Sequence, residues 1–272
     1  MFYLIDNFWK FLIGICIGSF LNVVIFRLPN EISILKPRSF CPNCKEKIKW
    51  YLNIPILSWI LLKAKCKYCS TKISVRYPIL ELMTGFLFII FSGGSAYFYS
   101  FNLINPFETL FSWILLSILI SISLIDLENF WIPQSLINFG FLIGILNLLL
   151  IEFYKIDSYL NSIFLKGICG AAGAYVVFEL LRICSKIVFK KDALGKGDSK
   201  LVSMMGIWLG PLGISLAIGI SYIIAAIFVL IFLQLKILKK NQMIPFAPFL
   251  SIGGLTVWYF GNEFLLRFIY RI

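Results

Sequence analysis

Histidine is absent from the 272-residue chain, and acidic residues are scarce. Without histidine, Ser-His and Cys-His nucleophilic systems, histidine general bases and histidine-ligated metal sites are all excluded. The 13 Asp and Glu residues and 25 Lys and Arg residues together make up only 14% of the chain. Any acid–base chemistry must therefore come from carboxylates, Lys, Tyr or Cys.

The small share of charged residues is matched by a large share of apolar ones. The chain is 60% hydrophobic and 17% aromatic, whereas a soluble domain is about half apolar and about a quarter charged. Several apolar stretches approach the roughly 20 residues that a helix needs to cross a bilayer. The sequence therefore predicts an all-α polytopic membrane protein with about eight transmembrane helices. These predicted spans are 8–26, 79–98, 107–125, 135–151, 163–184, 201–211, 213–235 and 246–261.

Positive charge is concentrated between the first two predicted spans. From Arg27 to Arg76 there are eleven Lys or Arg residues against two acids, a bias typical of a cytoplasmic loop. We interpret the net charge of +12 as a topology signal with attraction to anionic lipid, not as nucleic-acid binding. The predicted division is a first helix at 1–26 with its N-terminus outside, a cytoplasmic domain at 27–78, and a membrane core at 79–272 of about seven helices.

Two acidic segments stand out, LIDLENFWIP with Asp126 and DALGKGDSKL with Asp198. The predicted topology puts Asp126 at the end of the third span and Asp198 at the start of the sixth, both at the cytoplasmic face. Two carboxyl groups that meet there can act as an aspartyl protease, because the ionised one takes a proton from water while the protonated one donates to the scissile carbonyl. The alternative is that both residues cap helix N-termini, and spacing alone leaves both open.

Residues around these aspartates have a predicted supporting role. Gly195 and Gly197 lack a Cβ, so the backbone can turn tightly and approach an extended substrate. Pro133 disfavours helix continuation and can hold Asp126 at a break, and Lys200 is assigned to the same support of the catalytic loop. The GKG triplet lacks the spacing of a phosphate-binding loop, and that function is rejected.

Two acids lie inside other predicted spans. Glu179 precedes Arg182 by three residues, which predicts an ion pair along one helix. Glu81 has no such neighbour in the sequence. An ionisable group within the membrane is by default a functional candidate, and a supporting polar role is the alternative.

Four cysteines form two CxxC pairs, Cys41 with Cys44 and Cys66 with Cys69, separated by 21 residues. Four thiolates can close a tetrahedral shell around Zn²⁺, each CxxC turn supplying two ligands. The spacing predicts a structural zinc site, with two disulfides as the weaker alternative in a reducing cytoplasm.

Several segments together resemble, in this order, the bacterial prepilin peptidases, a type IV leader peptidase and N-methyltransferase family of Gly-x-Gly-Asp aspartyl proteases. They are GSFLNVVIFRLP, CPNC, NIPILSW, CKYC, RYPILELMTG, LIDLENFWIP, GKGDSKL and FAPFLSIGG. The resemblance implies that Asp126 and Asp198 are the catalytic pair. It also implies cleavage of basic leaders from prepilins and pseudopilins at the cytoplasmic face of the bacterial inner membrane. Methylation of the new N-terminal residue with S-adenosylmethionine is a further implication, although no motif indicates a site for it.

The chain departs from the resembled pattern at two positions. Gln134 stands where many relatives have Asp, and Phe26 stands where relatives often have His. We expect Glu128 and Asp192 to help position a basic leader. A presenilin-like intramembrane protease, which shares the Gly-x-Gly-Asp element, is the alternative enzyme, and a membrane scaffold without catalysis is the non-enzymatic one.

Overall fold

Helices account for nearly all the regular structure in a computed structural model that describes residues 2–92, 107–154, 163–189, 195–239 and 242–270. Isolated β-bridges pair Phe40 with Lys47 and Lys65 with Lys72. A 3₁₀ turn covers Trp50–Asn53. The α-helices are α1 (Phe2–Arg27), α2 (Leu57–Leu61), α3 (Arg76–Ile90), α4 (Glu108–Asn129), α5 (Gln134–Tyr154), α6 (Ile163–Phe189), α7 (Lys196–Gln234), α8 (Ala247–Phe260) and α9 (Asn262–Tyr270).

Among the described residues, five helices are long and apolar enough to cross a membrane, namely α1, α4, α5, α6 and α7. Helices α3 and α8 contain 15 and 14 residues and fall short of the roughly 20 residues that a full crossing takes. The all-helical, multi-pass membrane class is confirmed, whereas the count of eight spans is not. The end of the predicted second span lies in 93–106, outside the described residues.

The predicted sixth and seventh spans are two parts of α7. At Gly210 the backbone takes φ 68° and ψ 179°, and Pro211 follows. Glycine tolerates a positive φ and proline has no N–H for the helix ladder, so the helix is interrupted here. The part before the break, 196–209, is about 21 Å long at 1.5 Å per residue, and most of its side chains are buried. It is too short for the roughly 30 Å hydrocarbon core, so its apolarity serves protein packing.

The chain divides into two compact units, Met1–Gly93 and Gly94–Ile272. In the first unit, α1 packs on α3 through glycines. A Cβ on Gly14 would lie 2.7 Å from the Cα of Gly85, and one on Gly18 would overlap the hydroxyl of Thr84. Small residues four apart allow this close approach of two helices. The functional division at residues 26 and 78 stays a prediction.

Two buried tryptophans organise the core of the second unit. The rings of Trp208 in α7 and Trp258 in α8 meet edge to face with centroids 5.7 Å apart. Trp208 Nε1 donates to the carbonyl of Gly140 at 3.0 Å, and Trp258 Nε1 donates to Ser112 Oγ at 2.9 Å. Each indole therefore pairs its polar atom while burying its ring, which fixes α7 against α4, α5 and α8.

The ion pair predicted within the fifth span is confirmed. Arg182 Nη2 lies 2.7 Å from Glu179 Oε2 on α6. Its i,i+3 spacing is the one that brings two side chains together on a helix surface.

Candidate functional site

Asp126 lies in the last turn of α4 and is buried, with 6% of its surface exposed. The helix ends where Phe130 adopts the left-handed conformation and donates its N–H to the Asp126 carbonyl at 2.9 Å. A carboxylate is disfavoured at a helix C-terminus by the helix dipole. Asp126 Oδ2 instead accepts the backbone N–H of Ala247, the first residue of α8, at 3.1 Å. Its partner is thus the N-terminus of a helix 121 residues away.

Asp198 is the third residue of α7 and is also buried, at 9% exposed. Its Oδ2 accepts the backbone N–H of Gly195 at 3.2 Å, which is the side-chain half of a capping box. The negative charge of Asp126 acts on the Asp198 carboxyl. The fold therefore places the two predicted aspartates, one at the end of α4 and one at the start of α7, within electrostatic range of each other. Each also satisfies a helix N-terminus, and one such hydrogen bond leaves acid–base chemistry at the same carboxyl possible.

The predicted supporting residues surround this pair, and each has a definite contact. Gly195 has φ −72° and ψ 145°, an extended conformation that any residue can adopt. The absence of a Cβ at this position therefore matters for the contacts that a side chain would make. A Cβ there would lie 3.2 Å from Asp198 Oδ2. A Cβ on Gly197 would lie 3.1 Å from Cβ and Cδ1 of Ile132. Pro133 is buried and directly precedes α5, so the segment after Asp126 turns here against the start of α7.

Lys200 links α7 to α5. Its Nζ donates to Oε1 of Gln134, the first residue of α5, at 2.5 Å. Gln134 Nε2 in turn donates to Asn138 Oδ1 at 2.8 Å. Gln134, the departure noted in the sequence, therefore still has a contact with Lys200. Glu128 is exposed at the end of α4, whereas Asp192 lies outside the described residues.

Tyr222 is a neighbour of the pair that sequence reasoning missed. The hydroxyl group of Tyr222 lies within electrostatic range of Asp198. The centroid of its ring is 5.2 Å from that of the Phe246 ring. Phe246 immediately precedes Ala247, the residue that donates to Asp126. The FAPFLSIGG motif indicated that Phe246 and Ala247 belong to this side of the site. Tyr222 lies in an apolar stretch without a recognisable motif, so nothing in the sequence indicated its position.

The four predicted metal-ligating cysteines converge in the first unit. The Sγ atoms of Cys41, Cys44, Cys66 and Cys69 all lie within 4.8 Å of one another. Cys41 Sγ and Cys69 Sγ are 3.8 Å apart, close to the roughly 3.8 Å edge of a tetrahedron with 2.3 Å Zn–S bonds. A disulfide requires about 2.05 Å, so this spacing fits four ligands around one metal ion and does not fit a disulfide.

The two CxxC turns have the same backbone design. In the first, Lys45 N–H donates to the Cys41 carbonyl and Cys41 N–H donates to the Glu46 carbonyl. The second turn repeats both hydrogen bonds between Cys66 and residues Ser70 and Thr71. Lys45 and Ser70 both take a positive φ, 58° and 56°. Each turn thereby presents two thiols to the same point.

Hydrogen bonding in this cluster prepares a thiolate. The Thr71 hydroxyl, at 3.2 Å from the sulfur, and Asn43 Nδ2, at 3.7 Å, lower the pKa of Cys69 to about 5. Against a hydrogen bond from the Glu46 backbone, burial and the neighbouring thiols of Cys69 and Cys41 raise the pKa of Cys44 to about 11, so the cluster pushes the pKa values of Cys69 and Cys44 in opposite directions.

The first unit also contains a cavity of about 710 Å³. It is lined by α1, by the NIPILSW segment, by α3 and by residues of both CxxC turns. Glu81, on α3, lines it with 7% of its surface exposed. Glu81 Oε2 accepts the backbone N–H of Ile56 at 2.7 Å. The functional alternative and the supporting alternative for Glu81 thus both have a structural basis.

Comparison with known proteins assigns both units. The model of the bacterial peptidase A24 N-terminal domain matches residues 12–93, and that of the type IV leader peptidase family matches residues 113–230. A prepilin leader peptidase/N-methyltransferase of Myxococcus xanthus is 37% identical over 81% of this chain, which spans 62% of that relative. No solved structure matches.

Two further relatives align over nearly their whole length. The type 4 prepilin-like proteins leader peptide-processing enzyme of Escherichia coli is 34% identical over 90% of this chain and 91% of its own. A prepilin leader peptidase/N-methyltransferase of Legionella pneumophila is 30% identical over 95% of this chain and 92% of its own. With both of its units matched, and with Asp126 and Asp198 inside the second match, the chain belongs to the type IV leader peptidase family.

Proposed function

We propose that this protein is a membrane-embedded aspartyl endopeptidase that removes basic leader peptides from type IV prepilins and pseudopilins. The observation that carries the proposal is that Asp126 and Asp198, two buried carboxyl groups from α4 and α7, lie close enough for the charge of Asp126 to act on Asp198. Family membership and the names of the relatives supply the substrate class. The proposed location is the bacterial inner membrane, with the active site at the cytoplasmic face.

Hydrolysis by this pair needs one proton shared between two carboxyl groups. Like charges this close resist full ionisation, so one carboxyl remains protonated. The ionised carboxylate removes a proton from water, and the resulting hydroxide attacks the scissile carbonyl carbon as the protonated carboxyl donates to its oxygen. Collapse of the tetrahedral intermediate breaks the C–N bond, and the amine leaves with a proton returned by the dyad.

The residues around the dyad would set its geometry. The Gly195 N–H and the Ala247 N–H each hold one carboxyl oxygen, which fixes the rotamers of Asp198 and Asp126. Gly197 leaves room for the side chain of Ile132, and Pro133 directly precedes α5. Lys200 joins α7 to α5 through its hydrogen bond to Gln134. Catalysis depends on such placement to within fractions of an ångström.

The four-cysteine cluster is proposed to hold a structural Zn²⁺. Four thiolates saturate a tetrahedral ion and leave no position for a water nucleophile. Such a site would stabilise the loop 39–74 and would take no part in hydrolysis.

Methylation of the newly exposed amine is proposed as the second activity, from the names of the relatives. S-adenosylmethionine, when bound, supplies an electrophilic methyl group. The cavity in the first unit has the volume of a small-molecule site, and its lining of polar, charged and aromatic side chains would hold such a ligand.

The leader peptidase assignment is favoured over a presenilin-like protease. The family model that matches residues 113–230 and the relatives named above are those of leader-processing enzymes, and the four-cysteine cluster falls outside the presenilin-like pattern. The scaffold alternative rests on the helix-capping contacts of the two aspartates, which a purely structural protein would equally need.

Mass spectrometry of a reconstituted reaction tests the proposal. Purified protein in lipid is incubated with a prepilin carrying a basic leader, with and without S-adenosylmethionine. We expect a product that lacks the leader in both reactions and that is heavier by one methyl group only with the methyl donor. An intact prepilin after incubation with folded protein would contradict the proposal.

A further inference from the structure

The second part of α7, after the break at Gly210, returns towards the two aspartates. Asp198 lies twelve residues before the break, and Tyr222 lies twelve residues after it. In an unbroken helix these two residues would be about 36 Å apart at 1.5 Å per residue, yet Tyr222 lies within electrostatic range of Asp198. The helix therefore turns back sharply at Gly210, which brings Tyr222 to the level of the dyad.

Helix α8 packs along this returning part of α7 and fixes the position of Tyr222. Near the break, a Cβ on Gly213 would lie 3.5 Å from Val257 Cγ1. At the other end, the ring centroids of Tyr222 and Phe246 are 5.2 Å apart. The two segments therefore run antiparallel. Tyr222 lies beside the residue that directly precedes Ala247, whose N–H donates to the carboxyl group at the end of α4.

The hydroxyl group of Tyr222 is a hydrogen-bond donor that is not in use. Among the residues that the structure describes, it takes part in no hydrogen bond, whereas the indole N–H groups of Trp208 and Trp258 in the same unit are both paired. Tyr222 is 41% exposed, so a peptide at the dyad can reach it. A phenol donates without carrying a charge, which suits a donor beside two carboxyl groups.

Three other donors beside the dyad are already engaged. The N–H groups of Gly195 and Ala247 each hold a carboxyl oxygen of the pair, and Lys200 Nζ donates to Gln134. During hydrolysis the oxygen of the scissile carbonyl gains negative charge, which donors placed in advance stabilise. The protonated carboxyl group supplies one donor to that oxygen, and the Tyr222 hydroxyl is free to supply a second.

We propose that Tyr222 is a further catalytic residue, whose hydroxyl donates a hydrogen bond to the oxygen of the scissile carbonyl as water attacks the carbon. This inference rests on the peptidase activity included in the proposed function. The O–H bond of Tyr222 stays intact, because the protonated carboxyl group of the dyad transfers its proton to the same oxygen. The contact strengthens as the tetrahedral intermediate forms, so Tyr222 acts on turnover and not on substrate binding.

Steady-state cleavage by Tyr222→Phe tests this role, because the substitution removes the hydroxyl and keeps the ring beside Phe246. Full-length protein in lipid is given a prepilin with a basic leader, and kcat and KM are measured separately. We expect kcat to fall about 10- to 100-fold while KM changes less than about threefold. The matched control is Tyr175→Phe, which removes the hydroxyl of an exposed tyrosine on α6 and should leave both constants unchanged.

Binding of two uncleavable leader peptides separates a contact with this oxygen from a structural effect. One peptide has a hydroxymethylene group in place of the scissile carbonyl, and the other has a methylene group there and so lacks the oxygen. Tyr222→Phe should weaken binding of the first peptide by about tenfold or more and of the second by less than about twofold. Equal weakening of both peptides would show a structural role and overturn the proposal.

The kinetic outcomes distinguish this proposal from the proposed function. A wild-type kcat in Tyr222→Phe overturns the catalytic role and makes Tyr222 an aromatic anchor at the membrane interface, while the dyad is unaffected. A rise in KM alone also overturns it, since the hydroxyl would then act in substrate binding. A folded wild type that leaves the prepilin intact overturns the peptidase and the role of Tyr222 together.

Discussion

Lys200 Nζ donates a 2.5 Å hydrogen bond to Oε1 of Gln134, which joins the start of α7, two residues after Asp198, to the start of α5. Many members of the family that the sequence resembles have Asp where this chain has Gln134. A carboxylate at that position would form an ion pair with Lys200, and the amide oxygen keeps the contact without the charge. The link between the two helices is thus preserved through a change of chemistry.

Breaking this link should lower cleavage more than stability. Both side chains are exposed, so Lys200→Met is expected to change the unfolding free energy by less than about 1 kcal/mol. Cleavage should fall several-fold, because the start of α7 carries Asp198. Gln134→Asp should retain near-wild-type cleavage through an ion pair. Lys196→Met, which removes the same charge from the same helix end, is the control, and wild-type kcat/KM in Lys200→Met would show that the contact is unnecessary.

Gly197 is expected to be required for its contact with Ile132. A valine at position 197 would place its Cβ within about 3.1 Å of the Ile132 side chain, which displaces the segment after Asp126 or the start of α7. Gly197→Val should therefore cleave prepilin slowly, and Ile132→Ala should restore part of the loss in the double variant. Steady-state cleavage of the three variants measures this.

The matched control for this pair is Gly219→Val, also in α7, since a Cβ on Gly219 meets no atom within 4 Å. Ile132→Ala should improve cleavage by Gly197→Val and should not raise cleavage when it is introduced alone. If Ile132→Ala fails to improve Gly197→Val, the glycine acts in some other way, such as close approach of substrate.

Metal removal should affect the first unit before it affects proteolysis. We expect about one zinc per chain in the purified protein, as a tetrahedral four-thiolate site implies. Cys66→Ser should lose the metal and make the loop 39–74 sensitive to protease, because Cys66 is one of the four thiols of the cluster. Metal analysis and limited proteolysis measure both effects.

Cys184→Ser serves as the control for the thiol experiment, because Cys184 is exposed on α6 and lies outside the cluster. Full zinc content in Cys66→Ser, or a wild type without bound metal, would contradict a structural zinc site.

The sequence predicted the features that depend on local pattern or on fixed spacing. Paired CxxC turns converge as expected, and Glu179 pairs with Arg182 because helical spacing alone decides that contact. The two aspartates were predicted to lie together from the alternation of eight spans across a membrane, and that count of spans is not confirmed, so their shared cytoplasmic position stays a prediction. These inferences needed no knowledge of tertiary contacts.

What the sequence could not predict depends on long-range contacts. Hydropathy shows that the segment 196–209 is apolar, but it does not distinguish burial in protein from exposure to lipid. A short buried helix was therefore interpreted as a separate span. The hydrogen bond from Ala247 to Asp126 joins residues 121 positions apart and has no local signal. The positive φ of Ile56 is likewise unexpected for a β-branched residue, and its hydrogen bond to Glu81, 25 residues away, has no local signal.

The central claim is that Asp126 and Asp198 act together on the scissile bond. Cleavage of a prepilin in membranes is compared for wild type, Asp126→Asn and Asp198→Asn at equal folded amounts, with Asp6→Asn as an exposed control. Loss of the acid–base pair should lower the rate of both variants by a factor of at least about 100, with the control unchanged. Cleavage at the wild-type rate by either variant would reduce that aspartate to a helix cap and contradict the account.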